Sequence, residues 1–235
     1  MDVFCRKELK FLINAEQRQQ LERVLAEKMT PDKFGHSSIR NIYYDTPDFR
    51  LIRRSLEKPV YKEKLRLRCY GDSKEVFLEV KKKYKGIVYK RRIALTERSA
   101  EAFMQFRGTI PDTQIGREMV YFRDFYENLQ PQVYLSYERD AWLSKDDPGL
   151  RITMDDQIRY RYSNLHLDQA PDGREILPPG LSLMEVKAEN AIPLWLTELL
   201  AKLKISKISF SKYGRAYLME LPGKINEGRG YHHVG

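Results

Sequence analysis

The sequence predicts an α+β fold in which about eight strands form a closed antiparallel β-barrel with helices packed outside. Three observations carry this. Segments of alternating polarity recur throughout the 235 residues. Most are joined by linkers too short for a parallel crossover. Helical patterns fall between groups of strands rather than after each one, which suits a barrel with an outer layer.

Residues 4–13 set Cys5, Leu9, Phe11 and Ile13 against Arg6, Glu8 and Lys10, the period of a half-buried strand. Asn14 then stands as an N-cap before Leu21, Val24, Leu25 and Met29 at helical spacing. Residues 38–46 are β-rich, and Pro47-Asp48 begins a turn or short helix running towards Leu56. Strands at 61–70, 75–83 and 87–96 follow, separated by Gly71-Asp72 and Lys85-Gly86, as in a meander. Residues 97–107 and 114–128 read as helices. Two further strands, 133–143 and 150–161, meet across Asp146-Asp147-Pro148-Gly149, and 181–189 is another. Residues 164–180, with three Pro and two Gly, are a loop. Helices are expected from Pro193 to about Leu203 and over 209–220. Residues 1–221 are expected to form one domain and 222–235 a flexible tail, in which His232 and His233 are not metal ligands.

Composition narrows the function. Lys plus Arg is 42 against 33 Asp plus Glu, a net charge of +9, which favours phosphates or other polyanions as partners. Two cysteines, Cys5 and Cys69, make no disulfide framework, the opening residues carry no secretory h-region, and no stretch is long enough to span a bilayer. A cytoplasmic location is expected.

The charges alternate with the strands. In 61–70 the even positions are Lys62, Lys64, Arg66 and Arg68, and the odd ones include Leu65, Leu67 and Cys69. One strand face therefore carries four cations spaced about 7 Å apart. Residues 150–161 set Arg151, Thr153, Asp155 and Arg159 against Leu150, Ile152, Met154 and Ile158, while Lys90 and Arg92 share a face. The tripeptides Glu8-Leu9-Lys10, Glu79-Val80-Lys81 and Glu185-Val186-Lys187 each place a carboxylate beside an ammonium.

If these faces turn one way, Arg6, Lys10, the four cations of 61–70, Lys81, Lys90, Arg92, Arg151 and Lys187 share an interior with only Glu8, Glu79, Asp155 and Glu185. So many unmatched charges cannot occupy a dry core, because desolvation costs several kcal/mol per ion. A wet or anion-filled bore is expected, its apolar outer faces covered by helices. Phosphate chains suit the cations, and Mg²⁺ or Mn²⁺ suits the carboxylates. Arg139 is a further candidate for the bore, and Trp142 and Trp195 are expected to pack on the outside.

Nine motifs in order, RKELKFLI, NIYYDTPDF, KLRLRCYG, VFLEVKKKY, YKRR, YERDAW, RITMD, LMEVK and FSKYGRAYL, span roughly residues 4–220. Together they resemble the VTC-type polyphosphate polymerases of the triphosphate tunnel metalloenzyme (CYTH-like) superfamily. The resemblance implies a tunnel barrel. It also implies that Lys10, Arg66, Arg68, Lys81, Lys90, Arg151 and Lys187 grip phosphate, that Glu185 holds the metal, and that Ser211-Lys212 lies near the product end. Two positions depart from the pattern. Arg6 stands where the superfamily's first N-terminal Glu would be, and Ser55 stands where eukaryotic relatives carry a tunnel Arg, with Arg53 or Arg54 as substitutes.

The expected activity is transfer of the γ-phosphoryl group of ATP to a growing polyphosphate chain. Arg66, Arg68, Arg151 and Lys187 are assigned to catalysis. Lys10, Lys64, Lys81, Lys90, Arg92, Arg139, Ser211 and Lys212 are assigned to phosphate binding, and Glu185, Glu79 and Glu8 to the metal. No P-loop or nucleophile elbow is present, and phosphoryl transfer needs neither. The same bore with water as acceptor gives a tripolyphosphatase or nucleoside triphosphatase; without chemistry it is a polyphosphate-binding module. Nucleic acid is not an expected partner, because Glu8, Glu79 and Glu185 would repel its phosphate backbone unless a metal intervenes.

Overall fold

The computed structural model describes residues 7–85, 87–189 and 191–220. Arg6, Cys5, the 222–235 segment, His232 and His233 lie outside the described residues.

β1 (Lys7–Asn14) leads into α1 (Ala15–Lys28) through Asn14, whose side chain accepts from Gln17 N while the Gln17 side chain accepts from Asn14 N, a capping box. β2 (Met29–Asp45) is longer than the sequence predicts, because its first residues pair with the end of β6 (Gln130–Ser144) across a register break between Pro31 and His36. α2 (Arg50–Leu56) is anchored by the buried Asp45 carboxylate, which accepts from the backbone N–H groups of Leu51 and Ile52. β3 (Tyr61–Tyr70), β4 (Glu75–Tyr84) and β5 (Ile87–Thr96) form the meander. α3 (Glu97–Met104) and α4 (Gln114–Tyr126) precede β6, and β7 (Arg151–Arg161) pairs with both β6 and β9 (Leu181–Ala188). Two short strands escape the sequence pattern: β8 (Arg174–Glu175), and β10 (Lys207–Ile208), which lies between α5 (Leu194–Lys202) and α6 (Lys212–Glu220).

The ten strands form one antiparallel sheet ordered β10-β1-β9-β7-β6-β2-β3-β4-β5, with β8 beside β7. This corrects the closed eight-stranded barrel, since among the described residues β5 and β10 are edges with no ladder between them. The sheet is nonetheless rolled. Lys81 on β4 lies 3.1 Å from Glu8 on β1, although these strands stand next to opposite edges. Among the described residues, side chains rather than backbone hydrogen bonds bridge the seam.

Three apolar clusters flank the sheet. The outer faces of β3 and β4 bury Leu65, Leu67, Leu78 and Val80 under Phe103, Met119 and Phe122 of α3 and α4. The outer faces of β1, β7 and β9 bury Phe11, Ile13, Ile152 and Val186 under α1 and α5, where Trp142 and Trp195 also pack. The third cluster corrects the expectation that every helix lies outside. Leu135, Leu183 and Tyr43, which alternate with outward residues, pack against Tyr213, Ala216 and Tyr217 of α6. α6 thus fills part of the concave side, and the charged bore occupies the rest. In β7, Gln157 adopts φ 47° at a register shift against β6. This bulge reverses the alternation, so Ile158 and Tyr160 turn inward and Arg159 turns out to Glu175, contrary to the predicted faces.

Candidate active site

Strand register assembles the charges into rows. Lys64, Lys81 and Lys90 are aligned across β3, β4 and β5, and Arg66, Glu79 and Arg92 form the next row. On the facing wall Glu8, Lys187 and Arg151 align across β1, β9 and β7, beside a row of Lys10, Glu185 and Thr153. The Lys81–Glu8 pair joins the two walls, and Lys64 Nζ donates to Ser211 Oγ at 2.8 Å. Ser211 Oγ also accepts from Gly214 N, capping α6 and aiming its N-terminus at the bore.

Each carboxylate is matched by several cations. Glu79 Oε2 accepts from Arg66 at 2.8 Å and Glu79 Oε1 lies 2.5 Å from Lys90 Nζ, with Arg68 4.0 Å away. Asp155, fully buried, takes a two-pronged contact from Arg139 at 2.6 and 2.8 Å and a second cation, Lys212. Lys10 Nζ lies 3.4 Å from both Glu8 and Glu185, and Lys212 and Lys187 also approach Glu185 at 3.5 and 3.9 Å. Arg151 reaches Asp32 at 2.5 Å, a partner on β2 that the sequence pattern does not show. The predicted site residues among those described therefore face one concave space, the strand residues from the rolled sheet and Ser211 and Lys212 from the start of α6, with Arg151 and Arg92 towards one mouth.

Sequence reasoning missed the hydroxyls that aim the arginines. Arg66 Nη1 donates to Tyr43 Oη at 3.0 Å, Arg68 Nη2 to Tyr137 Oη at 2.8 Å, and Arg68 Nε to Asn41 Oδ1 at 2.8 Å. Asn41 and Tyr43 stand two apart in β2, so their shared face was readable from alternation alone. At the position of the missing tunnel Arg, Ser55 is buried and its carbonyl accepts from Lys62 Nζ at 3.3 Å. Of the two substitutes, Arg54 lines a small cavity with Lys62, whereas Arg53 turns to Asp48.

Electrostatics follow from this crowding. Burial alone would raise Glu79, but Arg66, Arg68 and Lys90 hold it at about 2. Glu8 is likewise drawn to about 2 despite burial and its neighbour Glu185, because Lys81, Lys10 and Lys187 surround it. The lysines move the other way. Burial, reinforced by Lys10, Lys81, Lys62 and Arg66, pushes Lys64 down to about 7. Burial outweighs Glu185 and brings Lys187 to about 8.

These depressed lysines fix a sign. The unfolded chain holds both near the ordinary 10.5, so between about pH 7 and that value the folded, empty protein binds fewer protons, and its stability rises with pH. Bound phosphate reverses the shift by favouring the ammonium forms. Tripolyphosphate binding at pH 8 is therefore expected to take up roughly one to two protons, with affinity falling above that pH. The dependence of the binding heat on buffer ionisation enthalpy measures this; zero uptake would contradict the crowding.

For a divalent cation the carboxylates differ. No group of three or more potential ligands clusters among the described residues. Glu79 is enclosed by its cations. Glu8 and Glu185 stand on either side of the Lys10 ammonium, in repulsive contact with each other and about one-fifth and one-tenth exposed. Two such carboxylates suit a hard cation that completes its shell with phosphate oxygens and water.

Comparison with known proteins agrees with this architecture. The family model of the VTC domain matches residues 5–220. Among solved structures, a candidate adenylate cyclase from Bacillus halodurans superposes with TM-score 0.56 at 18% identity, covering 88% of this chain and 95% of that one. The PH1819 protein of Pyrococcus horikoshii gives 0.51 at 16%, covering 92% and 98%. HpAC1 from Hippeastrum, described as having a dominant triphosphatase activity, gives 0.49 at 13%, covering 88% and 92%. At these identities the likeness to the first two is one of fold. No curated protein matches the chain by sequence.

Proposed function

The chain belongs to the VTC domain family, and from that premise we propose that it transfers the γ-phosphoryl group of ATP to the end of a polyphosphate chain held in the bore, releasing ADP. The observation that carries this reading is the facing of two cationic walls whose few carboxylates are already matched. The remaining positive charge exceeds the carboxylates that face it among the described residues, and a polyanion is its natural counterpart.

The acceptor is proposed to be a phosphate chain because the cation rows do not stop at the length of a triphosphate. Lys62 and Lys83 are paired in register beyond Lys64, towards the opposite mouth from Arg151. In this assignment Arg66 and Arg68, aimed by Tyr43 and Tyr137, neutralise the oxygens of the transferred group, and Lys64, Lys81, Lys90 and Lys10 align donor and acceptor. Arg92 and Arg139 bind phosphate further along the bore, and Arg151 and Lys187 bind the donor side. Ser211 and Lys212 present the α6 N-terminus to the chain. Glu79 and Asp155 serve as buried counter-ions. Glu8 and Glu185 would hold Mg²⁺ or Mn²⁺, which neutralises phosphate charge when bound. Residues 1–221 are taken as one catalytic unit, and the location proposed is cytoplasmic; no described helix is long and apolar enough to cross a membrane.

Incubation with ATP and Mn²⁺ followed by gel electrophoresis tests the reading. A ladder of long chains supports it; inorganic phosphate alone makes the protein a triphosphatase; unchanged ATP that is nonetheless bound makes it a binding module. Glu185→Gln is expected to abolish the ladder while the fold survives, since Lys212 retains Asp155 and Lys187 can release its proton. Product analysis with a thermal melt checks both halves.

A further inference from the structure

The structure assigns an aromatic ledge at the Arg151 mouth of the bore, centred on Phe34, as the stacking platform for the nucleobase of a nucleoside triphosphate. This inference rests on the proposed function, because it supposes that the phosphates lie in the bore.

The ledge is built. The register break in β2 pushes residues 32–35 out of the ladder, and Gly35, at φ 52°, turns the chain there. One oxygen of Asp32 accepts from Phe34 N and Gly35 N at 2.8 and 3.0 Å, while its other oxygen holds Arg151 at 2.5 Å. A single carboxylate thus ties the ledge to a bore arginine.

Phe34 is 58% exposed, yet it lies nearly parallel to Tyr70, with ring centroids 6.3 Å apart and planes at 13°. Tyr70 meets Phe77 edge to face at 5.8 Å. By strand alternation Tyr70 and Phe77 share the face of Arg68 and Glu79, so the aromatic run continues the bore rather than standing apart from it. Guanidinium groups accompany the rings: Arg92 lies 4.9 Å over Phe77 and Arg68 5.6 Å from the Tyr70 centroid, with Lys33 4.8 Å from Phe34.

The opposite mouth differs in kind. Lys62 and Lys83 face each other there, and Lys58 is near enough to depress Lys62. A ligand with a flat π system at one end and an anionic chain at the other matches this polarity: rings for the base, arginines and then lysines for the phosphates. Stacking on aromatic side chains is indifferent to base identity, so both purines should bind alike.

Calorimetric titration with a non-hydrolysable ATP analogue and with tripolyphosphate, on the full chain and on Phe34→Ala and Phe34→Trp, tests this. Because Phe34 is exposed, neither substitution should change the melting temperature. Phe34→Ala is expected to weaken the ATP analogue about tenfold, the size of one lost base-aromatic stacking contact. Tripolyphosphate should change less than twofold, and Phe34→Trp should restore the analogue. Equal weakening of both ligands, or of neither, would overturn the ledge as a nucleobase site. Failure of the unaltered chain to bind either ligand would instead overturn the tunnel reading itself, and the ledge with it.

Discussion

Alanine in place of Arg66 is expected to lower turnover about a thousandfold, the range associated with removing an arginine that neutralises a transferred phosphoryl group. Arg66 is singled out because three things hold it: two contacts to Glu79, at 2.8 and 2.7 Å, and the Tyr43 hydroxyl at 3.0 Å. Such a guanidinium is oriented before substrate arrives, so none of its binding energy is spent on ordering it. Stability should change little. Glu79 keeps Lys90 at 2.5 Å and Arg68 at 4.0 Å, so no buried charge is orphaned. Arg66→Lys should recover only part of the rate, since an ammonium cannot reproduce the planar fork. Steady-state rates at saturating ATP, with a denaturation curve for each variant, give the answer. A tenfold loss or less would move the catalytic assignment away from this row.

Asp155→Asn is expected to act the other way, on stability before rate. Asp155 has no exposed surface and is bound by both Arg139 and Lys212. Removing its charge leaves Arg139 without its carboxylate and Lys212 with only Glu185 at 3.5 Å, in a site that burial already disfavours for charge. Breaking a buried ion pair from one side costs roughly 3–5 kcal/mol, or a fall in melting temperature of about 10 °C for a chain of this size. Saturating tripolyphosphate should return part of the loss, because an anion in the bore takes over the carboxylate's role. Chemical denaturation with and without ligand measures both. A cost below about 1 kcal/mol would mean that water reaches Arg139 and Lys212.

Arg66 and Asp155 stand for two kinds of charge that look alike in the sequence. Glu79, Asp155, Glu185 and Glu8 all read as acidic positions on inward faces, and alternation places them there without distinguishing them. Their surroundings do. Glu79 and Asp155 are gripped by guanidinium hydrogen bonds at 2.6–2.8 Å, whereas Glu8 and Glu185 share the Lys10 ammonium and, among the described residues, meet only lysines, at 3.1–3.9 Å. That difference depends on which strands lie next to one another, and residues 8 and 185 become neighbours only through the pairing of β1 with β9.

Alternation determined much by itself. The period-two pattern in 61–70, 75–83 and 181–189 is local chemistry, so it sets which side of each strand is charged before any strand has a partner. The Asn14 cap, the meander and the helical stretches are similarly local. Where backbone geometry departs from that period, the pattern misleads: the bulge at Gln157 exchanges the faces of Ile158 and Arg159, because one extra residue reverses every side chain after it. Closure also escaped the sequence. Whether a rolled sheet completes its ladder depends on shear and edge contacts summed over all strands, and here β5 and β10 stay apart while Lys81 and Glu8 span the gap. The seat of α6 inside the sheet, the Asp32 partner of Arg151 and the Phe34 ledge belong to the tertiary structure alone, since each joins residues whose separation in the chain carries no periodic signal.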